Sequence, residues 1–306
     1  MSSYRRLTPN EPPVAILDGA ALDDGGVIVI SAIWGLEDEL QRPTRLLYID
    51  RDNNVSFMDV PENIVSVAHI PDGSNSVLGL AKSGNALIVY PEMGPSEPMR
   101  RRGASRLISL FANSDEQFAC GLNGQIYQRH EGHWQPFDDG VFDPITSLDS
   151  VQWRGLGGHS RGVLIAAGLF GAVAEFDGQR WHRVDVATNC SFEQIAHLDR
   201  AFWICGDKGT LLRKESDEWE IVDTGAGVNF WSIRTFKGKL YLSAFEGVWL
   251  YDTQLRSITP VDFQLGFTPD TYKMSTSNER LWSFGQNSIL YFDGDSWNRA
   301  TIPCNA

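Results

Sequence analysis

The hydrophobic positions of this chain fall into short runs and not into the spaced faces of amphipathic helices. Three of these runs end in a small residue and are followed at once by a glycine turn, namely 118–120, 164–167 and 202–205. After each turn, apolar and polar residues alternate, which is typical of a half-buried β-strand. The pattern therefore predicts short strands separated by tight turns, with negligible helix.

The turns belong to an internal repeat. Clear copies have the form Gly-x-x-Gly and are followed, ten residues after the second glycine, by Trp134, Trp181 and Trp219. A shorter copy begins at Gly285 and precedes Trp297, and weaker copies surround Gly84 and Gly247. The aligned positions are spaced by 40, 47, 38, 38 and 41 residues. A period near 40 with several strands per unit indicates the blades of a β-propeller.

The predicted fold is all-β, a single β-propeller of about seven four-stranded blades in which the first strand of each blade lines a central channel. We expect an extended arm at 1–13 and a propeller at 14–303, with blades near 14–60, 63–100, 104–138, 144–186, 191–223, 228–262 and 271–303. The Asp-Gly pairs at 177–178 and 293–294 predict hairpins between the third and fourth strands. We place the inner strand of the fourth blade at 145–148 and interpret 155–161 as a long loop. The repeated tryptophans are expected to pack between blades.

The paired glycines, followed by Asp-Gly-x-x-Trp, resemble the degenerate blades of bacterial WD40/YVTN/BNR-like propeller repeat proteins. The resemblance covers most of 63–303 and implies an architecture without implying an activity. Gly-His and Trp-Asp pairs at blade spacing, which mark true WD40 blades, are absent from the sequence. The segment Asp293–Trp297 keeps the Asp-Gly and the Trp of a sialidase-type Asp box but lacks its preceding Ser or Thr.

Composition narrows the class of partner. Of 306 residues, 42% are hydrophobic and 21% are charged, and the net charge is −13. Because nucleic-acid binding requires a cationic surface, DNA and RNA are disfavoured as direct partners, and a basic protein is favoured. No apolar run is long enough to span a membrane, and the N-terminus lacks the apolar region of a signal peptide, so we expect a cytoplasmic location without membrane contact.

Candidate chemistry is sparse, and no cofactor or metal is predicted. The four cysteines are too dispersed for a zinc site or a disulfide framework. His130 and His133 fall in a glycine-containing hairpin turn, where we expect a solvated turn and not a metal site. On the inner strands, five titratable residues are candidates for the channel mouth: His69, Glu193, His197, Arg234 and Lys273. They do not form a convergent catalytic set, so the chain is not expected to be an enzyme.

Candidate partner-binding residues lie in the blade-joining loops and in the turns between second and third strands. We expect these segments to share one rim of the propeller. An acidic insertion after the second strand of blade 1 adds to this rim, and an aromatic residue within acidic surroundings suits a basic partner. The candidates are Trp34, Glu37, Asp38, Glu39, Phe170, Asp207, Lys208 and Phe245.

These observations favour a non-catalytic, protein-binding propeller. A specific version is a bacterial immunity or effector-associated protein that neutralises a cationic toxin. A carbohydrate-binding lectin stays open as an alternative, because propeller lectins also repeat Trp and Gly in each blade. A hydrolase or lyase centred on the channel is the less favoured third possibility.

Overall fold

Seven antiparallel sheets follow one another along the chain, and each sheet is built from consecutive strands. The computed structural model describes residues 4–35, 43–100, 106–144, 150–159 and 161–305. Inner strands of successive sheets pack against each other around a central axis. The predicted all-β propeller of seven four-stranded blades is thereby confirmed.

The first three blades occupy the N-terminal part of the chain. A short strand, β1 (Arg5–Arg6), pairs with the outer edge of blade 1. The strands of blade 1 are β2 (Val14–Ala21), β3 (Val27–Ile33), β4 (Thr44–Ile49) and β5 (Val55–Val60). Blade 2 comprises β6 (Ile64–Ile70), β7 (Ser76–Ala81), β8 (Asn85–Tyr90) and β9 (Glu97–Pro98). Blade 3 comprises β10 (Leu107–Ala112), β11 (Gln117–Gly121), β12 (Ile126–His130) and β13 (His133–Pro136).

The remaining four blades complete the ring. Blade 4 comprises β14 (Trp153–Gly158), β15 (Leu164–Gly168), β16 (Val173–Phe176) and β17 (Trp181–Val184). Blade 5 comprises β18 (Phe192–Leu198), β19 (Ala201–Gly206), β20 (Thr210–Lys214) and β21 (Glu220–Asp223). Blade 6 comprises β22 (Ser232–Phe236), β23 (Lys239–Ala244), β24 (Gly247–Asp252) and β25 (Ser257–Pro260). Blade 7 comprises β26 (Lys273–Thr276), β27 (Leu281–Phe284), β28 (Ile289–Phe292) and β29 (Trp297–Ala300). Single 3₁₀ turns occur at Leu169–Gly171, Asp207–Gly209 and Pro303–Asn305.

The inner strand of blade 4 corrects the sequence prediction. The inner strand is β14, which contains most of the glycine-rich segment interpreted as a loop. Residues 145–148, where the sequence predicted this strand, lie outside the described residues. The glycines allow blades 4 and 5 to approach closely. A Cβ atom on Gly157 would lie 2.8 Å from the Ile195 side chain, and one on Gly155 would lie 2.8 Å from the Glu193 carbonyl oxygen.

The two glycines of each repeat are required for two different physical reasons. In blade 4, Gly168 has an extended backbone, but a Cβ there would lie 2.1 Å from the carbonyl oxygen of Gln152 in the preceding blade-joining loop. Gly171 adopts a φ of +75°, which favours glycine, and its amide donates to the Cys190 carbonyl. The glycines therefore let the blade-joining loops pack directly onto the turns between second and third strands.

The repeated tryptophans connect neighbouring blades, as predicted. In three of them the indole N–H donates a hydrogen bond to the preceding blade. Trp134 donates to the Glu97 carboxylate at 3.0 Å, Trp181 to the Phe137 carbonyl at 2.7 Å, and Trp219 to the Glu175 carboxylate at 2.7 Å. Trp134 and Trp181 are buried. These side chains supply the apolar contacts that one blade cannot make alone.

The ring closes between blades 7 and 1, and among the described residues no strand of blade 7 comes from the N-terminal part of the chain. The Asn305 side-chain amide forms two hydrogen bonds with the backbone of Val14, at 2.9 Å and 2.7 Å. The Ala21 amide donates to the Ser275 hydroxyl at 2.9 Å. A continuous apolar cluster, which includes Val29 of blade 1 and Trp282 of blade 7, fills the seam. Side-chain packing and a few hydrogen bonds therefore close the propeller.

Candidate functional site

Two kinds of segment form one face of the propeller, which we call the loop face. They are the turns between second and third strands and the loops that join successive blades. Because neighbouring strands are antiparallel, these segments lie at the same ends of the sheets, and the other two kinds of turn lie on the opposite face. Hydrogen bonds join the two kinds directly, as from the Leu169 amide to the Gln152 carbonyl and from the Asp207 amide to the Ser191 carbonyl.

The exposed aromatic side chains concentrate on the loop face. Among the described residues, five large aromatic side chains are exposed, and every one belongs to a segment of this face: Trp34 (54%), Phe170 (67%), Phe245 (64%), Phe267 (40%) and Tyr272 (37%). The exposed large aliphatic side chains of the turns, Met93, Val163 and Leu255, lie instead on the opposite face. The loop face therefore presents the aromatic side chains that protein interfaces favour.

Phe170 occupies a backbone conformation that is unusual for its residue type. Its φ and ψ are 58° and 39°, in the left-handed region, and Lys208 has nearly the same values at the equivalent turn of blade 5. In blade 3 the equivalent residue is Asn123, which tolerates this region better. Asn123 is buried, whereas Phe170 is exposed, so packing within the propeller does not explain the phenylalanine.

The structure brings several predicted partner-binding residues to neighbouring blades. Phe170, the pair Asp207 and Lys208, and Phe245 occupy equivalent turns of blades 4, 5 and 6. The Asn229 side chain of the next loop fixes the Lys208 amide at 2.9 Å. Trp34 lies on the same face in blade 1, separated from blade 6 by blade 7.

The predicted acidic residues of the blade 1 insertion, Glu37, Asp38 and Glu39, lie outside the described residues. Sequence reasoning also missed Phe267 and Tyr272 as candidates. The Tyr272 ring packs against Trp231 with a centroid separation of 5.0 Å, and each of the two residues directly precedes an inner strand. The sequence signal that could have identified Tyr272 is an aromatic residue directly before an inner strand.

Cys190 lies on the loop face, in the loop that joins blades 4 and 5. Hydrogen bonds with the Thr188 and Thr210 side chains lower the pKa of its thiol, and the residue is partly exposed. Cys120 and Cys205 lie inside blades, where burial raises the pKa of each thiol to about 12. We therefore expect the thiol of Cys190 to react faster than those of Cys120 and Cys205.

The central channel contains charged side chains from several inner strands. Asp18 of blade 1 interacts electrostatically with Arg234 of blade 6, and because these blades are not neighbours, the interaction crosses the channel. Lys273 of blade 7 interacts with both Asp18 and Glu193, and Arg154 interacts with Glu193. Asp207 also interacts electrostatically with Glu193, so among the described residues three cations and three carboxyl groups belong to this cluster.

Burial changes the acidity of these channel groups. It raises the pKa of the Asp18 and Glu193 carboxyl groups, and it lowers the pKa of the Arg234 guanidinium. Of the sequence candidates for the channel mouth, Glu193, Arg234 and Lys273 lie within this cluster. His69 and His197 lie near the other ends of their strands, and His69 approaches Asp23 of a turn on the opposite face at 3.8 Å.

His130 and His133 face each other across the β12–β13 hairpin, whose turn places Glu131 and Gly132 at positive φ. Within the described ranges, no group of three or more His, Cys, Asp or Glu side chains is arranged to hold a metal ion. In the same part of the chain, no helix is both long and apolar enough to cross a membrane.

The solved structures that resemble this one are β-propellers, and a WD40 propeller is among them. The WD40 propeller domain of Doa1 superimposes with a TM-score of 0.69 at 12% identity, covering 96% of this chain and 99% of that domain. Virginiamycin B lyase from Staphylococcus aureus superimposes with a TM-score of 0.58 at 12% identity, covering 98% of this chain and 87% of the lyase. At such identities the likeness concerns the fold alone, and no protein-family profile matches the chain.

A likeness in sequence is more specific. The chain is 28% identical over 248 residues to the immune protein Tsi7 of Pseudomonas aeruginosa, covering 78% of this chain and 80% of that protein. This likeness is consistent with the predicted propeller of the immunity class, and the propeller fold is compatible with protein binding.

Proposed function

We propose that this protein is a non-catalytic immunity protein that binds and neutralises a protein toxin through the loop face. The observation that carries a binding function is the concentration of the exposed aromatic side chains on that face. The similarity to the immune protein Tsi7 supports a toxin as the partner. A finer relationship to YVTN and BNR repeats, supported by the degenerate blade motifs, belongs to the same proposal.

The contact surface would centre on blades 4 to 6. Phe170 of blade 4 and Phe245 of blade 6 project apolar rings from equivalent turns on either side of blade 5, and exposed apolar side chains that share one face are typical of interfaces. Trp34 and the acidic residues Glu37, Asp38 and Glu39 would extend the contact to blade 1. With a net charge of −13, the protein would associate fastest with a basic toxin, and we expect the encounter to occur in the cytoplasm.

The structure weakens the lectin alternative. A lectin would present the repeated tryptophans to sugars, but Trp134 and Trp181 are buried and use their indole N–H groups between blades. The side chains that carried the lectin hypothesis therefore stabilise the propeller.

The test takes the proteins encoded beside this gene as toxin candidates and produces each of them with and without this protein in a bacterial host. We expect co-production to restore growth. Phe170→Ser and Phe245→Ser should each weaken toxin binding about tenfold or more, since central aromatic contacts contribute about 2 kcal/mol. Leu255→Ser is the matched control, because Leu255 is 76% exposed on the opposite face.

Binding is measured by calorimetry, and thermal melts establish that each variant is folded. If Leu255→Ser weakens binding while both phenylalanine variants bind normally, the loop face is not the interface. If the wild-type protein neither binds the toxin nor restores growth, the immunity proposal itself fails.

A further inference from the structure

The backbone at Phe170 is strained, and packing among the described residues does not compensate the strain. Its φ of 58° and ψ of 39° lie in the left-handed region, which is unfavourable for a bulky residue because Cβ then approaches the following carbonyl oxygen. The side chain is 67% exposed, and neither of the apolar clusters that fill the seams on the two sides of blade 4 includes it. The propeller therefore gains no core contact from this ring.

The same turn geometry recurs in the two neighbouring blades with other side chains. The equivalent residues are Asn123 in blade 3 and Lys208 in blade 5, with φ of 61° and 57°. Asparagine tolerates this region well, and the buried Asn123 side chain accepts a hydrogen bond from the Ser150 hydroxyl at 3.3 Å. The turn therefore forms with an asparagine, and a phenylalanine is not needed to build it.

The loop that joins blades 4 and 5 holds this turn in place. The Phe170 amide donates to the Ser191 hydroxyl at 3.4 Å, and the Gly171 amide donates to the Cys190 carbonyl at 2.9 Å. Because the backbone is fixed by these bonds before any partner arrives, a contact made by the Phe170 ring requires little further ordering of the chain. The turn therefore presents the ring in a pre-organised position.

Strain at an exposed residue is typical of a functional position, since the fold itself does not require it. We propose that Phe170 is the anchor of the loop-face interface and that its ring enters an apolar pocket on the bound toxin. The inference rests on the proposed toxin-binding function and adds the surface that the toxin must present, a pocket the size of one aromatic side chain. A few anchors of this type dominate the binding energy of an interface.

The variant Phe170→Asn separates stability from binding at this position. Asparagine relieves the backbone strain, so the variant should melt about 1–2 °C above the wild type. It also removes the ring, so the affinity for the toxin should fall by about tenfold or more. Because an apolar contact acts after the first encounter, the loss should appear as faster dissociation, with an association rate close to that of the wild type.

The binding partner in this test is the toxin that the growth experiment identifies, and the rates are measured by surface plasmon resonance. Glu131→Asn is the matched control, because Glu131 is an exposed residue with a φ of 48° in the β12–β13 turn on the opposite face. It should also raise the melting temperature, but it should leave both rate constants unchanged. If Phe170→Asn does not fold, Phe170→Gly decides, since glycine also relieves the backbone.

The anchor is refuted if the wild type binds the toxin and a folded Phe170→Asn binds it equally well, in which case the immunity proposal still stands. It is also refuted if Phe170→Asn is less stable than the wild type, because the ring would then stabilise the propeller itself. A wild-type protein that binds none of the candidates refutes the proposed function together with the anchor.

Discussion

Replacing Trp181 by alanine measures how strongly the repeated tryptophan stabilises the propeller. Its side chain is 1% exposed and packs against the rings of Phe137 and Phe176, with centroid separations of 6.3 Å and 5.6 Å. Truncation of such a side chain leaves a cavity and should lower the free energy of unfolding by about 3–5 kcal/mol. Trp181→Phe keeps most of the ring contacts but removes the 2.7 Å hydrogen bond to the Phe137 carbonyl, and should cost about 1–2 kcal/mol.

The assay is urea unfolding followed by far-ultraviolet circular dichroism, because loss of a tryptophan alters the fluorescence signal. Trp34→Ala is the control, since Trp34 is 54% exposed, and it should change the free energy of unfolding by no more than about 0.5 kcal/mol. The reasoning is refuted if Trp181→Ala lies within about 1 kcal/mol of the wild type, or if Trp34→Ala destabilises the protein equally.

Two further predictions concern titratable groups. With a thiol-specific reagent at neutral pH, mass spectrometry should find Cys190 modified at least tenfold faster than Cys120 or Cys205, and equal rates would contradict the assigned environments. Hydrogen bonds from the backbone amide of Arg180 and from that of the preceding residue lower the pKa of Asp177 to about 2. Because the folded-state pKa lies below the unfolded value, this contribution to stability is complete above about pH 4 and is lost as the pH falls towards 2. Carbon-detected NMR titration measures this pKa directly, and a value near 4 would show that the hairpin turn does not hold the ionised carboxylate.

The propeller was predictable because the same steric and packing constraints recur in each blade and select the same residue types. Any side chain at position 168 would collide with the neighbouring blade-joining loop, and the ring of Trp181 is buried between two blades. Glycine and tryptophan therefore recur at blade spacing. The inner strand of blade 4 escaped prediction because close packing against blade 5 requires glycines at Gly155 and Gly157, which removes the apolar alternation of an ordinary strand.

The candidate site was only partly predictable. Phe170 and Phe245 stood out because an apolar residue in a turn is unusual in any fold. Tyr272 did not, since its exposure depends on how blades 6 and 7 meet at the channel. The interaction of Asp18 with Arg234 joins strands at opposite ends of the sequence across the channel, and no local pattern indicates that these groups share one space.

The closure of the ring has a consequence for the order of folding. Each blade is a meander of consecutive strands, so its contacts have short sequence separations and can form early. The hydrogen bonds between Asn305 and Val14 span 291 residues, and their loop-closure entropy is compensated only when all seven blades are in place. We therefore expect the seam to be the last part of the propeller to form, so that a chain whose blades are already folded still has an open ring until Asn305 reaches Val14.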